Sequence, residues 1–196
     1  MIGLLLLLLA AWGGSQSALA SGTEPFPPVL TIADGDEQRQ LALTGNDRRV
    51  VLIFRVYDIA HYAESSDLAP MSVANVIDDG PAKAISIRFL RKLRVNQIRQ
   101  EFDASLRLNG QPEWLEAAQP TIDAFLAAID RDASKGDRFS IVWLDGGRLF
   151  AEFNGERAFE ASDTAFAKLI WSIWFGEEPV CDRDKLLAEL TAEDDA

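Results

Sequence analysis

Three turn signals at short, regular spacing constrain this chain more than any other feature. Lys135-Gly136-Asp137, Asp145-Gly146-Gly147 and Asn154-Gly155 punctuate the stretch that ends at Glu160. Between them lie Arg138–Leu144, Arg148–Phe153 and Arg157–Glu160, runs too short for helices and suited to a pleated, half-buried surface. In the middle run Leu149, Ala151 and Phe153 alternate with Arg148, Phe150 and Glu152. Asp-Gly and Asn-Gly supply the positive φ that tight hairpin loops require. Connections this short carry no parallel crossover, so the three strands are expected to form an antiparallel meander in sequence order.

The preceding chain divides by the same logic. Val29–Ile32 and Gln40–Thr44 read as short strands separated by a turn over Ala33–Glu37, and Gly45-Asn46-Asp47 reads as the next turn. Val50–Tyr62 reads as one long strand, with Val50, Leu52, Phe54 and Val56 on one face and Val51, Ile53, Arg55 and Tyr57 on the other. Lys83–Leu90 is a further strand. Val95, Ile98, Phe102 and Leu106 then recur at helical spacing, Asn109-Gly110 ends that helix, and Pro112 opens another along Leu115, Ala118, Ile122, Phe125 and Ile129. Pro120 predicts a kink there, or two short helices. After the meander, Ser162 is the expected cap of a helix whose inward stripe is Phe166, Leu169, Ile170, Ile173 and Trp174, with Gly176 at its end. Asp182 is expected to cap a last short helix around Leu186, Leu187 and Leu190. No repeat or linker divides Leu41 to Leu190. Strands, helices, strands and helices in that order give an α+β domain over residues 41–191, helices layered on one face of an antiparallel sheet.

The first residues carry a different signal. Leu4 to Leu9 form an apolar block that continues to Trp12, and a small-polar stretch follows, ending Ala18-Leu19-Ala20. The block is short for a membrane span, which takes about 20 apolar residues. It fits a secretory signal over residues 1–20, cleaved after Ala20, although no Lys or Arg precedes it. The expected destination is the periplasm or the exterior, with no stable membrane anchor after cleavage. Residues 21–40 form a proline-containing lead-in, and residues 192–196 an acidic tail.

Charge and chemistry narrow the function. With 19 Lys and Arg against 31 Asp and Glu, the formal charge is −12, which argues against nucleic acid or an anionic membrane surface as the main partner. One cysteine, Cys181, permits no internal disulfide, and one histidine, His61, leaves no Cys/His metal cluster. No cofactor is expected. His61 lies in a strand-like segment, where a structural role is the expectation. Trp143, Phe150, Phe166, Trp171 and Trp174 could line an apolar pocket, but at their strand and helix spacing they are expected core.

The order of elements and several short motifs resemble the chalcone isomerase-like family, particularly its bacterial branch. Leu43-Thr44-Gly45-Asn46-Asp47-Arg48-Arg49 resembles a Gly-x-Gly-x-Arg turn, and Ile53 to Glu64 the long strand after it. Lys135-Gly136-Asp137, Gly146-Gly147 and Asn154-Gly155-Glu156 resemble the meander. Trp171 to Val180 resembles the final helix and its Gly-Glu-x-x-Val exit. The resemblance implies an open-faced sandwich with a cleft between sheet and helices. The family's enzymes close a flavanone ring with an Arg, a strand Thr, a Tyr, a Lys and an Asn on a following helix, and a late Thr. Matched without gaps, these positions hold Arg49, Tyr57, Ile98, Glu101, Ser105 and Ile173 here. Ile98 donates no hydrogen bond, and Glu101 in place of a cation repels an oxyanion. The expectation is therefore loss of isomerase chemistry.

Some non-catalytic members of the family bind fatty acids, an Arg and a Tyr holding the carboxylate. The resemblance thus implies Arg49 and Tyr57 as the ligand-binding pair. Arg55 and Arg88, each the lone charge on an otherwise apolar strand face, are second choices, and the crowded Arg91, Lys92, Arg94 and Arg99 are expected at a solvated face. Three functions stay open at this level: a binding module for a small amphipathic, fatty-acid-like molecule, an interaction protein whose cleft is filled by side chains, and a chalcone–flavanone-type intramolecular lyase.

Overall fold

The computed structural model describes residues 26–35, 37–64 and 71–192. The proposed signal segment and cleavage site, the first residues of the lead-in (21–25) and the end of the acidic tail lie outside the described residues, whereas the rest of the lead-in supplies β1 and the start of β2.

Seven strands form a single antiparallel sheet in strict sequence order, β1 Val29–Asp34, β2 Glu37–Val51, β3 Phe54–Glu64, β4 Lys83–Phe89, β5 Arg138–Trp143, β6 Arg148–Phe153 and β7 Glu156–Ser162. Helices α1 Val95–Asn109 and α2 Pro112–Ala128 are inserted between β4 and β5. Helix α3, Thr164–Phe175, follows the meander, and a 3-10 turn at Lys185–Leu187 leads into the short α4, Ala188–Ala192. The α+β architecture with an antiparallel sheet and a helical layer is as expected, and the sheet curls into an open half-barrel.

The first half of the sheet departs from the sequence reading in an informative way. Gly45-Asn46-Asp47 is no turn. β2 runs through it, with an irregularity between Leu43 and Gly45 opposite Tyr62 and His61. The chain reverses instead at Leu52-Ile53, where Val51 pairs with Phe54, and the expected single strand over Val50–Tyr62 is split by a hairpin. Gly45 is needed for a close approach rather than a reversal: the backbone of Lys185 and Leu186 packs where its Cβ would stand.

Both faces of the central strands are buried, by different partners. Tyr57, Ile59, Ile85, Ile87, Phe139 and Ile141 face the helices and join a core with Ile98, Phe125, Phe166, Leu169, Ile173 and Trp174. Ala60, Tyr62, Ala84, Val142 and Phe150 face the other way and pack with Phe26, Leu30, Ile32 and Leu41 as the sheet curls around them. This explains the unbroken burial of Asp58–Ala63, which alternation alone does not give.

Helix α3 is more deeply placed than a one-sided stripe suggests. Nine of its residues, Phe166, Ala167 and the run Leu169 to Phe175, are buried, because the helix is sandwiched between the sheet and α1 and α2. Its N-cap is Asp163, not Ser162, which is the last residue of β7. Asp163 Oδ1 accepts the Phe166 amide at 3.0 Å and Oδ2 accepts the Thr121 hydroxyl at 2.6 Å, joining α3 to α2. Asp163→Ala is expected to cost about 1–2 kcal/mol, read as a lowered denaturant midpoint; Asp163→Asn should recover much of it. Pro120 neither splits nor ends α2, which is continuous from Pro112 to Ala128. Its ring is on the exposed side, so the backbone carbonyl it deprives of a partner is offered to water.

Candidate functional site

A cleft of about 270 Å³ opens between the β2–β3–β4 end of the sheet and helices α1 and α3. Its floor and walls are apolar: Val56, Ile87, Phe89, Ile98, Phe102, Ile173 and Trp174. Arg49, Tyr57 and Ser105 are set among them, and Arg91, Lys92 and Glu101 stand at its margin. This is the composition of a site for a largely apolar molecule with one polar end.

The local sequence explains each placement. Arg49 and Tyr57 are cross-strand partners in the β2–β3 ladder and therefore share a face. On the other side of Tyr57, across the β3–β4 ladder, lies Phe89. Ile98, Glu101, Phe102 and Ser105 recur at helical spacing along one side of α1. Ile173 and Trp174 come from α3, and Val180 from the segment that follows it.

Arg49 is partly buried, and its Nη1 donates to the Val180 carbonyl at 2.7 Å. Among the described residues no carboxylate lies within ion-pairing distance of it. The rest of its fork has hydrogen-bonding capacity beside an apolar cavity. Tyr57 Oη receives a long hydrogen bond from Trp174 Nε1 at 3.4 Å, and Cys181 lies near it. Burial, reinforced by Cys181, pushes the phenol pKa up, so Tyr57 stays protonated. Burial likewise pushes the Cys181 thiol up to about 12, with further elevation from Asp47. A thiol so protonated is a poor nucleophile.

The segment after α3 that supplies Val180 and Cys181 is firmly held. Asn109 receives the Glu178 amide at 2.8 Å and donates to the Glu178 carbonyl at 3.1 Å. The Val180 amide donates to Ile173 O, and the Arg183 guanidinium to Gly176 O. Arg49 thus lies between a strand and a pinned loop, positioned before any ligand arrives.

The other two candidate residues are elsewhere. Arg88 is paired across the ladder with Asp58, on the face opposite the cleft. The buried Asp58 carboxylate takes Arg48 Nε at 2.6 Å and Arg88 Nη2 at 2.8 Å. Burial raises the Asp58 pKa, but the two guanidiniums outweigh it and hold the group below the usual carboxylate range. Arg55 is exposed near the β2–β3 turn and is not part of the cleft lining. The remaining cations of the crowded stretch separate too: Arg99 binds the Ile129 and Ala127 carbonyls at the end of α2. Of the aromatic set only Trp174 lines the cleft; Trp143, Phe150, Phe166 and Trp171 are core.

His61 takes no part in the cleft. It is fully buried, with Nδ1 2.6 Å from Thr44 Oγ1 and Nε2 3.4 Å from Trp171 Nε1. An indole N–H only donates, so Nε2 is the acceptor and the ring proton is on Nδ1. Thr44 then accepts from His61 and donates its hydroxyl hydrogen bond to the Leu186 carbonyl at 2.8 Å. Every polar atom of the relay is satisfied with a neutral imidazole.

All six positions matched to the enzymes' polar set, Arg49, Tyr57, Ile98, Glu101, Ser105 and Ile173, line this one cleft. A family described as chalcone isomerase-like matches residues 27–190. Among solved structures, a fatty-acid binding protein of Arabidopsis thaliana has a similar fold, with a TM-score of 0.62. The likeness covers 85% of this chain and 93% of that one at 15% identity. No curated protein matches the chain in sequence.

Proposed function

The chain belongs to the chalcone isomerase-like family, and from that premise we propose that it is a non-catalytic binding protein for a small amphipathic acid of the fatty-acid kind. One observation carries the reading: a preorganised, partly buried Arg49 with no carboxylate partner among the described residues, facing an open apolar cleft. A ligand carboxylate supplies the missing counter-charge in a bidentate contact, and the apolar tail lies against Ile98, Phe102, Ile173 and Trp174. Tyr57, kept protonated, adds a hydroxyl donor beside Arg49. The cavity supports this over a cleft filled by side chains.

The lining supports binding without turnover. Ring closure by a phenolate needs donors aimed at an oxygen that gains charge. Ile98 and Ile173 offer none, and Glu101 brings a negative charge to the margin. We further propose export, with removal of residues 1–20, which N-terminal sequencing of the protein from its own host would test by finding Ser21 first.

Native against denaturing mass spectrometry of the purified protein is expected to reveal a bound acid lost on denaturation. In titrations with palmitate, followed by Trp emission, Arg49→Gln is expected to weaken binding by about tenfold or more, and Arg49→Lys by less. Because Arg49 also holds Val180, thermal melts of both variants separate lost affinity from lost structure. A bare polypeptide mass with no palmitate uptake would point to an interaction protein, and Arg49-dependent turnover of chalcone would make it an enzyme.

A further inference from the structure

The β2–β3 hairpin ends in the most exposed apolar surface among the described residues. Leu52 and Ile53 are 89% and 86% exposed, and Val50, Val51 and Phe54 beside them are 44%, 43% and 51% exposed. Two features set this apart from a scattered surface hydrophobe. Leu52 has φ 57, the left-handed region that hairpin turns normally give to Asn or Gly. A leucine there combines backbone strain with full exposure, so stability alone favours a different residue.

The second feature is charge. Residues 48–56, Arg-Arg-Val-Val-Leu-Ile-Phe-Arg-Val, hold three arginines and no acid. Residues 90–95, Leu-Arg-Lys-Leu-Arg-Val, hold three more cations and no acid. The two segments run together: Leu90 N donates to Val56 O, and the Arg91 guanidinium sits 4.9 Å from the Phe54 ring centre. Arg55 and Arg91 have no carboxylate partner among the described residues. Arg48 is committed to Asp58 and Lys92 pairs with Asp132 at 3.3 Å, so within a chain of net charge −12 it is Arg55 and Arg91 that stand beside the apolar tip as a local basic collar.

We propose that this tip is a membrane-docking element, Leu52 and Ile53 entering the headgroup–acyl boundary of an anionic bilayer while the arginine collar meets the phosphates. Apolar insertion and a basic rim are the two reversible contributions that hold peripheral proteins to such surfaces. Val51, Phe54, Arg91 and Lys92 belong to both the tip region and the cleft margin, so docking brings the cleft mouth to the lipid. Bulk charge keeps the remainder of the molecule off the surface, and the contact is local and salt-sensitive. The docking itself does not depend on what the cleft holds.

Vesicle flotation of the purified protein tests this. Binding is expected with phosphatidylglycerol–phosphatidylethanolamine vesicles, much less with phosphatidylcholine alone, and should fall as salt rises. Leu52→Asp/Ile53→Asp is expected to lower the partition by at least about tenfold. Leu52→Asn should weaken it too while melting at or above the parent temperature, since Asn suits the left-handed φ. Leu108→Asp removes another exposed apolar side chain, on α1, and should bind like the parent. The proposal is overturned if the parent ignores anionic vesicles or the double variant floats as well as the parent. It also fails if sedimentation shows a dimer that the double variant dissolves, which would make the tip a contact between copies.

Discussion

Gly45→Ala is expected to destabilise the fold by about 3 kcal/mol or more. A Cβ at this position would stand 2.1 Å from the Lys185 carbonyl oxygen and 2.6 Å from the Leu186 carbonyl carbon. Both obstacles are backbone, so no side-chain rotation relieves them. The 3-10 turn at Lys185–Leu187 is itself fixed: Leu186 and Leu187 are buried, and Leu186 O accepts the Thr44 hydroxyl. Accommodating one methyl group means lifting the C-terminal segment off β2 and opening the Thr44–His61 relay. Gly155→Ala is the comparison, since Gly155 has φ +81 but open space around it. It should cost about 1 kcal/mol through backbone strain alone. Urea unfolding of the two variants would separate the effects, and equal midpoints would mean that the seam is soft.

Acidification is expected to destabilise the protein from about pH 6.5 downward, before its carboxylates begin to protonate. Burial, with a smaller contribution from the Lys83 charge, lowers the His61 pKa from 6.5 to about 3. The unfolded chain therefore takes up a proton below pH 6.5 that the folded chain refuses until about pH 3. Stability is full above 6.5 and is lost as pH falls through that window, at a slope approaching about 1.4 kcal/mol per pH unit. Asp58, whose pKa is held below 3.8, adds its loss only at lower pH. His61 is the single histidine, so its imidazole resonances are unambiguous. They should report a neutral ring in the folded protein to well below pH 6. A folded-state titration near 6.5 would exclude the sealed relay, and His61→Gln should flatten the stability slope between pH 6.5 and 4.5.

Arg49 and Tyr57 were accessible to sequence reasoning through their match to a family pattern, and the β-ladder shows why both belong to one face. Arg88 and Arg55 satisfied a local criterion, a single charge on an apolar strand. That criterion does not say which side of the sheet the strand presents. Arg88 alternates onto the far face, where the buried Asp58 already claims it. Val180 and Trp174 were visible within a family-like segment, but nothing local assigned them to the cleft, because a loop pinned by Asn109 and a helix buried all round leave no periodic trace of which side meets it. The basic segments 48–56 and 90–95 are visible in the sequence, but their adjacency is not.

The sequence by itself determined the meander, the helical pair, the terminal helix and their order, because turn residues and apolar periodicity act over a few neighbouring positions. Tertiary structure decided where the first long hairpin turns. Local chemistry favoured Gly45-Asn46-Asp47, yet the chain keeps Gly45 in the strand so that the Lys185–Leu187 turn can close against it, and reverses at Leu52-Ile53 instead. That reversal places Arg49 opposite Tyr57 at the cleft and leaves an apolar tip in solvent. A contact between residues so far apart in the chain outweighs a turn preference worth no more than about 1 kcal/mol.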